Sequence, residues 1–324
     1  MSRVLALVNG YPPRLMGGAE VTLHMLLVHL AEAGFDVQVL TNDTHAPITA
    51  SYCGIQVDRA TDRAHGESAV ADADLVISQL SALPDAYAVG LASGTPVVPY
   101  HHGPGTIEPL EGSEVPLEIY NSEALAMASS FGGQKAVLYP MVDPKEYRTT
   151  PGDRVTLINL GLWKGGNLFW KIVAGMPDHQ FLAKRGGYSR QIVPEHLPNN
   201  VEMVTNEVGS TPHEMREGVY ARTRILLIPS AFETWGRVGI EAAASGIPVI
   251  AHPTDGLLES LGSAGIFVDR EDLDGWVQAI SDLDDEQHYR AKSRAMEERA
   301  NVLWDDSRVQ LGNVARLIRE VTDR

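Results

Sequence analysis

With 324 residues, 44 % of them hydrophobic and 21 % charged, the chain has material for about two domains and too few charges for a disordered polymer. Its net charge is −16, and residues 1–150, with 7 basic and 17 acidic side chains, are as plainly acidic as the rest, which argues against duplex DNA and against polybasic attachment to anionic lipid. The one cysteine, Cys53, excludes an intrachain disulfide and a cysteine-based metal site, and no apolar stretch approaches the ~20 residues of a membrane span. The apolar run 4–8 is too short for a signal-peptide core, so a cytoplasmic protein is expected.

Short apolar runs alternate with helical patterns along the chain. Strands are expected at 4–8, 37–41, 75–79, 96–100, 117–121 and 136–139, with helices at 19–33, 84–92 and 122–131 between them. The second half repeats the scheme, with strands at 155–160, 180–183, 201–204, 225–228, 248–251 and 265–268. Strands separated by helices of this length imply parallel sheets with helices on both faces. Pro140, Pro144, Pro151 and Gly152 mark the boundary. The expected division is 1–143, 144–304 and a last helix over 305–324. Two such halves would face a cleft at the carboxyl ends of their strands, where doubly wound sheets bind ligands. The tail is expected to form helices at 273–283, 286–302 and 307–321.

The richest chemistry lies between Pro229 and Glu259. A strand ends in the loop 229–236, a helix follows at 237–244, and another strand begins at Pro248. Glu233 sits in the loop and Glu241 in the helix. Backbone amides over 234–239, with the helix dipole, suit a diphosphate, and Gly236 allows close approach of a ligand. A loop carboxylate accepts hydrogen bonds from sugar hydroxyls, and one on the helix accepts two from a ribose diol.

The whole setting resembles the donor-binding signature of glycosyltransferase family 4: Pro229-Ser230, Glu233, Gly236, Glu241-Ala242 and Gly246-Ile247-Pro248-Val249. The resemblance implies a GT-B-like α/β fold of two doubly wound, Rossmann-like domains facing a central cleft. It implies that Glu233 contacts the donor sugar and Glu241 holds the ribose, with Thr234, Trp235, Gly236 and Arg237 around the donor. The alternative is that Glu233 caps the helix and Glu241 is a solvated helix residue.

Further likenesses follow in family order. Tyr11-Pro12-Pro13 and Gly17-Gly18-Ala19-Glu20 resemble the glycine-rich loop whose amides approach the diphosphate, or form an ordinary strand–helix turn. His101-His102-Gly103 ends a strand, and His102 matches the family's histidine near the reacting sugar; a surface or core histidine pair is the other reading. Ser122 in Asn121-Ser122-Glu123 either shapes the cleft or caps a helix. Lys164-Gly165 matches the family's phosphate-neutralising lysine, but Leu162 stands after Gly161 where an arginine is usual. Lys184 or Arg185, in Lys184-Arg185-Gly186-Gly187, would then supply the second charge, unless this is a solvated basic turn. Asp143 echoes a hinge motif, and Trp304-Asp305-Asp306-Ser307 resembles the tryptophan-bearing link into a last helix that crosses back to the first domain.

HExxH, EF-hand and Walker patterns are absent, and no Asp-x-Asp triplet falls at the proposed cleft. Neither a metal nor another cofactor is therefore expected, with helix-end amides and Lys164 neutralising the phosphates. The resemblance implies a retaining, metal-independent transfer of a hexosyl group from a UDP- or GDP-sugar, with His102, Lys164 and Glu233 at the chemistry. The acceptor is not named by any motif. A GT-B nucleotide-sugar epimerase or phosphorylase, or a non-catalytic nucleotide-sugar-binding protein, are the alternatives, since fold alone does not separate them.

Overall fold

The computed structural model describes residues 1–103, 107–186, 190–205 and 211–323. Gly187, named with the basic turn above, lies outside them. The chain divides into two compact units, Met1–Met141 with Asp306–Arg324, and Val142–Asp305.

The first unit holds strands β1 (Arg3–Val8), β2 (Asp36–Thr41), β3 (Thr49–Tyr52), β4 (Ile55–Arg59), β5 (Leu75–Gln79), β6 (Val97–His101), β7 (Leu117–Tyr120) and β8 (Gln134–Val137). Its helices are α1 (Gly18–Glu32), α2 (Arg63–Ala71), α3 (Leu83–Ser93) and α4 (Glu123–Ala128). The sheet runs β3-β4-β2-β1-β5-β6-β7-β8 and is parallel except for β3. Strand β5 is buried at every position, as a parallel strand covered by helices on both faces should be. Leu5, Leu7, Leu40, Val76, Leu83 and Tyr87 share one core cluster.

The second unit holds β9 (Arg154–Ile158), β10 (Phe181–Lys184), β11 (Val201–Val204), β12 (Thr223–Ile228), β13 (Val249–Ala251) and β14 (Ile266–Phe267). They form one parallel sheet in the order β11-β10-β9-β12-β13-β14. Around it lie α5 (Pro144–Tyr147), α6 (Gly166–Gly175), α7 (Pro212–Gly218), α8 (Arg237–Ala243), α9 (Asp255–Leu261) and α10 (Leu273–Asp282). Phe169, Phe181, Leu227 and Trp276 anchor its core.

In both sheets the strand order reverses direction, between β1 and β5 and between β9 and β12. Loops leaving the carboxyl ends of strands at such a point diverge and leave a crevice where ligands bind. In the second unit those loops carry Lys164 and Glu233.

Three expectations need correction. Two strands, β3 and β4, and helix α2 lie where none was expected; β3 alternates exposed and half-buried residues at a sheet edge and so has no apolar run to read. The helix expected at 122–131 stops at Ala128, and the strand expected at 136–139 is Gln134–Val137. The helix expected at 273–283 is α10, but the two expected at 286–302 and 307–321 are one continuous helix, α11 (Glu286–Thr322), with no link at Trp304–Ser307. Asp305-Asp306-Ser307 suggests a helix start, yet Met296, Ala300, Leu303, Ser307, Leu311 and Val314 are all buried at intervals of three and four, so one stripe runs straight through.

Candidate functional site

The turn after β9 is built to hold Lys164. Residues Leu162–Lys164 form a single 3-10 turn that ends on Gly165 at φ +89°. A Cβ on Gly165 would stand 2.4 Å from Pro229 Cγ, so both conformation and space demand glycine. The loop after β12 is tied to this turn: the Ala231 amide donates to the Trp163 carbonyl at 2.8 Å. Arg270 donates to the carbonyls of Leu162 (2.6 Å) and Trp163 (2.9 Å) from the far side of the sheet order. Lys164 Nζ and Glu233 Oε1 form an ion pair, and the Ser230 hydroxyl donates to the same oxygen at 2.9 Å. Glu233 therefore does not cap α8; Gly236 is the capping residue and no side chain serves there.

Gly236 has φ +80°, and a Cβ would meet Leu257 Cδ2 at 2.4 Å. The positive φ favours glycine here, and the Leu257 side chain packs against the position. Among the amides over 234–239, that of Gly239 already donates to the Gly236 carbonyl at 2.9 Å. Trp235 is buried, and its carbonyl accepts from the Ser260 hydroxyl at 2.6 Å. Thr234 is half-buried.

Glu241 is only 4 % exposed and sits in a polar network. Its Oε1 accepts from Arg237 Nη1 at 2.5 Å and its Oε2 from the Tyr220 hydroxyl at 2.6 Å. Arg237 Nη2 also donates to the Tyr147 hydroxyl at 3.0 Å. Burial alone would lower the guanidinium's pKa, but the Glu241 charge together with Tyr147 and Tyr220 outweighs it and the net shift is upward. Burial and then the Glu241 charge push the Tyr220 phenol well up, so it stays a donor. The alternative of a solvated Glu241 is thereby excluded.

Lys184 is buried at the end of β10, and its Nζ donates to the Arg185 carbonyl at 3.3 Å. Burial pulls its pKa down against the opposing pull of the Glu214 and then the Glu241 charge. Arg185 is half-buried, its amide bonded to the Val204 carbonyl at 3.0 Å. Lys164 with Glu233, and Arg237 with Glu241, Tyr220 and Tyr147, are thus brought together within the second unit. Sequence reasoning missed Tyr147, Tyr220 and Arg270, for which no spacing or motif gave a signal.

Gly17, Gly18 and His102 belong to the first unit. Gly17 precedes α1 with φ −73° and ψ 162°, an extended conformation open to any residue, and Gly18 opens the helix. His102 Nε2 donates to Gln79 Oε1 at 2.9 Å, and its ring lies 4.2 Å from that of Tyr100. Burial, and then the neighbouring His101, lower its pKa to about 3, so the ring is neutral at physiological pH. A folded value below the ordinary 6.5 means that the unfolded chain binds the proton more readily. Stability from this group is full above pH 6.5 and is lost as pH falls toward 3. His102→Gln is expected to flatten the fall of Tm over that window; equal slopes in the two proteins would contradict the assignment. Ser122 caps α4, accepting from the Leu125 amide at 3.2 Å, and Asp143 caps α5, accepting from the Lys145 amide at 2.9 Å.

Among the described residues, no group of three His, Cys, Asp or Glu side chains converges as metal ligands would, and no helix is long and apolar enough to cross a membrane.

Comparison with known proteins bears on this geometry. Residues 183–285, which include Glu233 and Glu241, match the family model described as glycosyl transferases group 1. The chain is similar to the D-inositol 3-phosphate glycosyltransferase of Corynebacterium urealyticum, at 33 % identity over 104 residues, covering 31 % of this chain and 24 % of the relative. With the enzyme of that name from Corynebacterium kroppenstedtii it shares 30 % identity over 167 residues, covering 47 % and 37 %. The matches thus span about a quarter to two fifths of the length of these curated relatives. Among solved structures, sucrose-phosphate synthase from Thermosynechococcus elongatus superposes with a TM-score of 0.75 at 18 % identity, covering 98 % of this chain and 99 % of that one. HepE of Anabaena in complex with UDP gives 0.74 at 18 % identity, covering 99 % and 100 %. The likeness shows the fold: α/β of the GT-B type, with two Rossmann-like units in one chain.

Proposed function

We propose that the chain is a retaining, metal-independent glycosyltransferase of the family 4 kind, taking a hexosyl group from a UDP- or GDP-sugar. One observation carries the reading. The sheet order of the second unit puts the β9 and β12 loops side by side, and they join Lys164 to Glu233 in the loop that leads into α8, the helix of the buried Glu241. Cation and carboxylate are what a nucleotide sugar needs, one for the diphosphate and one for sugar hydroxyls. The glycosyltransferase match over 183–285 and the UDP and UDP-glucose complexes of HepE support a nucleotide-sugar donor. The exposed Cys53 fits a reducing, cytoplasmic setting.

In this reading the bond from the anomeric carbon to the diphosphate oxygen breaks, and its electron pair leaves with the diphosphate. Lys164 meets the charge that grows on the phosphate. Glu233, freed from the ion pair, receives sugar hydroxyls and lies near the positive charge developing on the ring. An acceptor hydroxyl forms the new bond on the same face, and its proton passes to the leaving phosphate oxygen. Glu241 holds the ribose. Thr234, Trp235, Gly236 and Arg237 complete the donor surroundings within the second unit.

The test is release of UDP or GDP from a panel of nucleotide sugars, with and without mixed acceptors. Release that rises with acceptor supports transfer; none from any donor argues for the non-catalytic alternative. Cations on the protein make a divalent ion unnecessary. Activity is therefore expected to survive excess chelator, and abolition by chelator with rescue by manganese or magnesium would contradict that.

Because Leu162 stands where an arginine is usual, Lys184 or Arg185 is proposed as a second contact to the diphosphate. Charge on the phosphate rises in the transition state, so removing the contacting residue is expected to slow turnover more than it weakens nucleoside binding. Wild-type turnover in both Lys184→Ala and Arg185→Ala would place that charge elsewhere.

A further inference from the structure

Glu241 does not present a free carboxylate to a ribose diol as it stands. Both carboxylate oxygens already accept short hydrogen bonds, from Arg237 at 2.5 Å and from Tyr220 at 2.6 Å, and the residue is buried. Tyr147 steadies the arginine twice, with its hydroxyl at 3.0 Å and its ring centre 5.6 Å from the guanidinium carbon. The same pattern recurs one loop away, where Lys164 Nζ covers Glu233 Oε1. In each pair a carboxylate suited to hydroxyl groups is covered by a cation suited to phosphate.

Resting on the donor reading above, we infer that nucleotide binding is an ion-pair exchange at Glu241. The ribose diol displaces the Arg237 guanidinium from the carboxylate, and the guanidinium turns to the diphosphate. Arg237 opens α8 and Glu241 lies one turn further on, so side-chain rotation alone separates them. Separating a buried pair is costly unless both charges find new partners. The diol gives Glu241 two hydrogen bonds, and the diphosphate gives Arg237 a doubly accepting anion. A nucleoside without phosphate satisfies only the carboxylate and strands the arginine. The free protein thus discriminates against nucleosides, and Arg237 is the residue that does so.

The experiment is calorimetry on the full chain with uridine and UDP, and with guanosine and GDP in parallel. Arg237→Met keeps side-chain length and removes the competing charge. It is expected to bind the nucleoside at least threefold more tightly than the wild type and the diphosphate at least tenfold more weakly. Tyr147→Phe loosens the arginine without touching either carboxylate, and is expected to raise nucleoside affinity in the same direction. A merely structural role would lower both affinities together. Parallel losses, or nucleoside affinity that does not rise in either variant, overturn the exchange and leave the donor reading intact. A wild-type chain that binds neither UDP nor GDP overturns the donor reading itself, and the exchange with it.

Discussion

Replacing Lys164 with alanine is expected to lower turnover about 100- to 1,000-fold, the usual cost of removing a fixed group that meets developing charge. The lysine is held where β9 ends by Gly165, by the Ala231–Trp163 bond and by Arg270, so its position does not depend on its own partner. Its side chain is 37 % exposed, which leaves it accessible to a ligand. The loss should fall on turnover more than on nucleoside affinity, because phosphate charge grows only as the bond breaks. Glu233→Gln is the companion variant, since it removes the countercharge but keeps the shape of the loop. Lys164→Ala with wild-type turnover, measured as nucleotide release, would remove the residue from the chemistry.

The second large effect is on binding. Glu241→Gln is expected to weaken nucleoside diphosphate binding about tenfold to a hundredfold, as hydrogen bonds to a charged acceptor are worth roughly 1.5–3 kcal/mol. The glutamine retains the shape of the side chain, which matters because Arg237 would otherwise be left buried beside a void. A folded Glu241→Gln protein with unchanged affinity by calorimetry would take the ribose role away from this residue.

Much of the second unit's candidate site is legible because apolar runs locate parallel strands, and the loops that follow them carry the polar residues. Lys164 and Glu233 could each be placed at a strand end from the sequence. Their meeting could not, because it depends on β9 and β12 being neighbours, which is a property of sheet order. Arg237 and Glu241 stand at a spacing that brings side chains together on a helix, yet the motif directs both toward a ligand rather than toward each other. Tyr147 and Tyr220 are 90 and 21 residues from the groups they contact, and only the folded chain joins them. On the first unit, β3 and β4 were silent because an edge ribbon with polar alternation leaves no apolar run. The break expected at Trp304 followed a local capping signal that the buried stripe of α11 overrides.

This site is proposed to move a sugar from its nucleotide to an acceptor, and following the sugar tests that most directly. Incubation with UDP- and GDP-sugars labelled in the hexose, together with a mixed acceptor pool, is predicted to place the label in a new product, with the nucleotide diphosphate released in equal amount and with both lost in Lys164→Ala. Label that stays in the donor, or returns only as an epimer of the nucleotide sugar, would contradict the account.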